Sequence, residues 1–359
     1  DAEKALHRQP QESMTASPHH TVREDWLALG QEETLAPEQP IFDCHHHLWD
    51  RPEGRYRAEE LMADVGAGHD VRASLYVQCR TGYRDHGPES LRPVGEVETV
   101  LDWTRGQDRF PAGIIAMADL QLGDAVRPVL DAVTEAGQGR VIGIRNTTAW
   151  HADPAVRSNP NPPPEGQLQT SAFIDGARAL AAHGLTLDVW AYQTQLDEVR
   201  ALAEAVPELT VIVDHCGGPL GVGPHDRFDT QNFRAWRDAL ALVAALPNTR
   251  IKIGGFGLGV FGWRYADAAL PPHSGTLAED WRPWVETCLD LFGPSRAMFE
   301  SNFPVDKGQV SYRTLWNAFK RLAAPLSAGG RDDLFWRSAA RVYGIDAQIF
   351  IHDTGRIPS

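Results

Sequence analysis

The sequence predicts a (β/α)8 barrel preceded by an N-terminal extension. Three observations lead there. From Ile41 onward, eight short apolar runs alternate with longer stretches of helical periodicity, the pattern of βα units around a parallel sheet. His45, His46 and His47 stand just past the first run, where a doubly wound open sheet would usually carry a glycine-rich phosphate turn. The 359 residues fit one large α/β domain or two ordinary ones, and no composition break follows Ile41.

The apolar runs predict strands over 41–47, 72–79, 113–118, 141–145, 185–190, 210–215, 250–253 and 297–301. Apolar positions recurring every three to four residues predict helices over 124–135, 171–183, 195–205, 232–246, 277–291 and 312–322. Residues 1–40 form the expected extension, with an amphipathic stretch over 22–35 expected to pack as an extra helix, and 41–359 the barrel domain. Two long connections, 80–95 and 149–169, are expected to lie over the barrel mouth.

Lys and Arg number 34 against 48 Asp and Glu, a net charge of −14. That balance argues against a nucleic-acid surface, and it obliges any anionic ligand to find a local basic pocket. No apolar run approaches the roughly 18 residues of a membrane span and no signal-peptide pattern is present, so a cytoplasmic location is expected. Cys44, Cys79, Cys216 and Cys288 form no CxxC pair and read as reduced thiols.

Side chains alternate along a strand, so His45 and His47 face one way and His46 the other. Two imidazoles at the C-terminal end of a barrel strand suit a metal ion, the alternative being a hydrogen-bonded core cluster. His215 closes another apolar run at the same rim and is followed by a Cys-Gly-Gly-Pro turn. Glu300 and Asn302 share a face of the last strand, and a carboxylate pointing into a barrel needs a partner. Asp306 in the following loop and Glu96 near the second loop are further candidate ligands, though either could serve only a helix terminus or a lysine. Arg145 closes the fourth strand and would anchor an anionic substrate or neutralise the carboxylates.

Asp43, His45, His47, His215 and the segment 300–304 together resemble the amidohydrolase superfamily, over roughly residues 41–343. The family's hydrolytic aspartate is replaced here by Asn302, an amide that cannot act as a base. With Tyr76-Val-Gln-Cys79, Arg92-Pro-Val-Gly-Glu96, Gly143-Ile-Arg145 and 299–307, the chain is similar to a sub-branch of non-haem diiron monooxygenases acting on coenzyme A-linked, diterpenoid-type substrates in antibiotic biosynthesis. That resemblance implies two iron ions held by His45, His47, Glu96, His215, Glu300 and Asp306, with Asn302 as a catalytic residue beside the metals or a weak ligand to them, and Arg145 as the anchor of the substrate or the carboxylates. It also implies dioxygen, an external electron donor and a coenzyme A thioester as partners. Arg84 and Arg92, within a group that includes Arg51, Arg55, Arg57 and Arg80, are the expected thioester contacts. The alternative is a hydrolase of a lactone or thioester with one zinc ion; a homo-oligomer is compatible with either.

Overall fold

The computed structural model describes residues 18–52 and 54–351. β1 (Pro40–His46) leads into a short antiparallel hairpin, β2 (Trp49–Arg51) and β3 (Gly54–Tyr56). The parallel strands then continue as β4 (Asp70–Val77), β5 (Gly113–Ala116), β6 (Val141–Thr147), β7 (Thr186–Trp190), β8 (Val211–Val213), β9 (Thr249–Ile253) and β10 (Ala297–Phe299). β1 and β4 to β10 pair in chain order as one eight-stranded parallel sheet. Beyond β10 the chain returns to β1: His46 and Phe303 form a parallel bridge, the His47 amide donates to Phe303 O at 2.7 Å, and the Asn302 amide donates to His45 O at 2.9 Å. These bonds bring the barrel almost to closure.

Every residue of β5 and β8 is buried, which is why these strands read as unbroken apolar runs rather than alternating ones. Helices cover the outer face: α1 (Glu24–Leu27), α2 (Ala58–Val65), α3 (Val94–Trp103), α4 (Arg127–Ala136), α5 (Ser171–Ala182), α6 (Leu196–Ala205), α7 (Thr230–Ala244), α8 (Ser274–Phe292) and α9 (Tyr312–Ala323). α10 (Ala328–Asp332), α11 (Ser338–Tyr343) and α12 (Gln348–Ile351) follow. α4 shows the common pattern, burying Val129, Leu130 and Val133 and leaving its other face to solvent. The side chains of Thr170, Asp229 and Ser311 accept amide hydrogens at the starts of α5, α7 and α9, each cap stabilising its helix by about 1 kcal/mol.

The eight predicted strands are all present. The extra helix expected over 22–35 shrinks to the four residues of α1, because side chains of α9 satisfy the backbone that follows it. Asn317 accepts from the Leu35 amide at 2.8 Å and donates to Glu33 O at 2.8 Å, and Lys320 donates to Leu35 O and Ala36 O, both at 2.8 Å. The first 17 residues of the predicted extension lie outside the described residues. Among the described residues no helix is long and apolar enough to cross a membrane.

Candidate active site

The C-terminal ends of the strands converge on a cavity of about 610 Å³. His47 and Trp49 after β1, Gln78 to Arg80 after β4, Arg145 and Thr147 of β6, Trp190 of β7, His215 after β8 and Asn302 after β10 all line it. Ser158 to Asn161 line it as well, so residues of both long connections reach the mouth as expected. Pro18 and His19 supply part of the wall. Two glycines admit this segment: Gly259 lies under Pro18, and a Cβ on Gly308 would fall 2.5 Å from the His20 carbonyl.

Backbone strain is concentrated at this rim. Arg80, His215, Cys216 and Asn302 have φ of 65°, 52°, 55° and 54°, in the left-handed region that L side chains avoid, and each stands where the chain turns out of the barrel. These turns end β8 and β10 earlier than the apolar runs suggested.

Three imidazoles meet here in one tautomeric state, fixed by their partners. His215 Nδ1 donates to Glu300 Oε1 at 2.6 Å, and His45 turns its Nδ1 to Glu300 Oε2 at 2.8 Å while its Nε2 accepts from Arg145 Nη1 at 3.3 Å. His47 Nδ1 donates to Val77 O at 2.7 Å. All three therefore keep Nε2 as the basic nitrogen, the form that binds a metal ion or accepts a proton. Burial alone would raise the Glu300 pKa, but the His215 and His45 rings hold it down to about 2. Burial, reinforced by His45 and Arg145, keeps His47 well below the usual histidine range.

A buried ionic network lies beneath the rings. Lys252 Nζ is 2.5 Å from Asp188 Oδ2, 3.5 Å from Asp214 Oδ1 and 3.4 Å from His45 Nδ1. Arg145 Nη1 is 3.2 Å from Asp214 Oδ2 and 3.3 Å from His45 Nε2, while its Nη2 donates to Gln78 O at 2.7 Å. Burial opposes ionisation of Asp214, yet Lys252 and His45 hold its pKa well below the carboxylate range. Asp188, Asp214 and Lys252 were missed from the sequence, although each is a charged residue in or just past a buried strand. A charge on a buried strand needs a partner at these positions as much as at Glu300.

Donor atoms of His45, Asp214 and His215 all lie within 4.8 Å of one another, and among the described residues this is the one group of three or more arranged to hold a metal ion. Its mixed nitrogen and oxygen donors, with Nδ1–H groups anchored behind, fit a single zinc-like ion. The two-iron expectation finds no second donor group among the described residues. Glu96 is drawn away because its Oε1 accepts from Tyr76 Oη at 2.7 Å, the Cys79 amide at 2.7 Å and the Thr81 amide at 3.1 Å. Asp306 accepts from the Gly257 amide at 2.9 Å and Asn302 Nδ2 at 2.8 Å, and burial raises its pKa to about 7. Asp43 receives the Ser301 amide and hydroxyl and Tyr312 Oη, so it ties β1 to the last strand. Arg84 pairs with Glu98, and neither Arg84 nor Arg92 lines the cavity.

The chain matches the amidohydrolase family over residues 42–345. It is 32% identical over 330 residues to the uncharacterized protein y4mH of Sinorhizobium fredii, covering 85% of this chain and 98% of that one. It is 30% identical over 326 residues to the L-fucono-1,5-lactonase of Burkholderia multivorans, covering 84% and 95%. A solved amidohydrolase from Burkholderia multivorans with bound zinc has the same fold, with a TM-score of 0.67 at 23% identity over 85% of this chain and 99% of that one. The relatives with named activities are lactonases. They overturn the expectation of a diiron monooxygenase and oxidoreductase of antibiotic biosynthesis; dioxygen and the electron donor go with it, and the names of these relatives lend the coenzyme A thioester no support.

Proposed function

Because the chain belongs to the amidohydrolase family, we propose that it is a hydrolase that opens the ring of a lactone at the mouth of the barrel formed by residues 41–359, residues 1–40 being an extension. The observation that carries the reading is the Glu300–His215 pair. A buried carboxylate holds the Nδ1–H of a histidine whose other nitrogen is basic and whose ring lines the cavity.

In this reading His215 Nε2 takes a proton from water as the water oxygen bonds to the lactone carbonyl carbon. The Arg145 guanidinium, clamped by Gln78 O and Asp214, faces the oxygen that gains negative charge. The ring C–O bond then breaks, and the leaving oxygen collects the proton from His215, giving a hydroxy acid. Asn302 cannot serve as the base; it holds Asp306 and contributes a polar edge to the cavity. A zinc-like ion held by His45, Asp214 and His215 would supply Lewis-acid polarisation of the carbonyl. With His215 engaged in that way, His47 is the one of the three central imidazoles that lines the cavity with Nδ1–H tied to Val77 O and Nε2 left to accept a proton. The lactonase relatives and the zinc-bound neighbour support this reading.

The test is acid release from a panel of 1,4- and 1,5-aldonolactones, with and without added zinc. Wild type should turn over at least one, with His215→Asn about 10²- to 10⁴-fold slower. A panel hydrolysed no faster than in buffer, or a His215→Asn protein as active as wild type, would sink the proposal.

A further inference from the structure

The charge on the cavity wall is opposite to that of the protein. The chain carries −14 overall, yet the described residues lining the cavity include Arg51, Arg80 and Arg145 and no aspartate or glutamate. Arg145 is spoken for by Asp214. The other two are not: among the described residues neither Arg51 nor Arg80 has a carboxylate within 4.0 Å, whereas their neighbours Arg55, Arg57 and Arg84 pair with Glu59, Asp50 and Glu98.

Both guanidinium groups are held in place without being neutralised. Arg51, on β2, stacks 4.4 Å above Trp49 and spends one N–H on Cys79 O at 2.6 Å. Arg80 spends one on Thr147 Oγ1 at 3.2 Å. Each group has five N–H donors, so most remain for a ligand. Arg80 also sits at a strained φ of 65°, in a turn that Glu96 fixes by accepting the amides on either side, of Cys79 and Thr81. Backbone strain and a buried carboxylate are thus both spent on aiming an arginine at the cavity.

We propose that the substrate carries, besides its lactone ring, an anionic group, carboxylate or phosphate, which Arg51 and Arg80 receive at the mouth of the cavity. The inference rests on the lactonase reading for the reaction but not for the binding. Guanidinium groups bind such oxyanions through paired N–H bonds at every working pH. A protein of this net charge repels anions at a distance, so selection must happen at contact.

The experiment compares kcat/KM for neutral gluconolactone with glucarolactone, which bears a carboxylate, and 6-phosphogluconolactone, which bears a phosphate. It is run in wild type, Arg51→Met, Arg80→Met and the double variant, with circular dichroism as the check on folding. In parallel, calorimetry measures binding of the open-chain acids glucarate and gluconate. The expected result is a preference of about a hundredfold for one charged lactone, falling by about tenfold with each arginine removed; which charged lactone wins identifies the anion. Glucarate binding tighter than gluconate, with the difference lost in the double variant, supports the anion site even if no lactone is hydrolysed. Hydrolysis with no preference for charge and no change of selectivity in the variants overturns it while leaving the lactonase reading intact.

Discussion

Glu300 grips His215 twice with the same oxygen: Oε1 accepts the backbone amide at 3.2 Å and the ring Nδ1–H at 2.6 Å. The two bonds fix both the strained turn at His215 and the tautomer of its ring. Glu300→Gln keeps the shape but removes the charge that favours Nδ1–H. It should lower kcat about 10²-fold or more with little change in KM, and the Glu300→Gln/His215→Asn double variant should be hardly worse than His215→Asn alone. Independent, multiplying losses would show that the two residues do not act together.

Asn302→Asp places a second carboxylate against Asp306, whose Oδ1 now accepts from Asn302 Nδ2 at 2.8 Å in a fully buried setting. Two like charges there are unfavourable unless one is protonated or a cation intervenes. The variant should melt below wild type at pH 8 and recover part of that difference at pH 5.5, where one carboxyl is neutral. A melting difference that is the same at both pH values would contradict this account.

Zinc titration of the chelator-treated protein should saturate at no more than one ion per chain, since His45, Asp214 and His215 form the one suitable donor group among the described residues. Asp214→Asn should weaken that binding. Saturation at two ions by mass spectrometry of the intact protein would require donors other than these three.

Gly308→Ala tests the wall formed by the segment before α1. A Cβ at this position would lie 2.5 Å from His20 O, a backbone atom, so the segment must shift. Because Pro18 and His19 line the cavity, KM should rise several-fold with a modest loss in melting temperature. Unchanged KM would separate this segment from the site.

His69 should make the fold acid-sensitive. Its Nδ1 accepts from Lys320 Nζ at 2.8 Å and its Nε2–H donates to Arg313 O at 3.1 Å. Burial and then the Lys320 ammonium lower its pKa to about 3. As pH falls below 6.5 the unfolded chain takes up a proton there while the folded one does not, so the stability present above pH 6.5 is lost between 6.5 and about 3. At pH 5 the loss is about 2 kcal/mol. His69→Gln should be less stable than wild type at pH 7 but lose about 2 kcal/mol less between pH 7 and pH 5, as read by urea denaturation. Equal losses would mean the ring is not held neutral in the fold.

The sequence by itself determined the barrel and its rim. A strand of a parallel sheet covered on both faces is mostly apolar, so runs such as 113–116 and 211–213 announce themselves and the alternation with helices orders them. Once the strands are ordered, His45, His47, Arg145, His215 and Glu300 fall at one end by topology alone. Which of these groups touch was decided by tertiary structure. Glu96 and Asp306 look like ligands by residue type, but backbone amides of neighbouring turns captured them first, and no local pattern encodes which amides a fold will leave unpaired. The Arg55, Arg57 and Arg84 side chains read the same in sequence as Arg51 and Arg80. Only packing gave the first three a carboxylate partner and left the other two facing the cavity, because an ion pair depends on distances of a few ångströms between segments that the linear order does not fix.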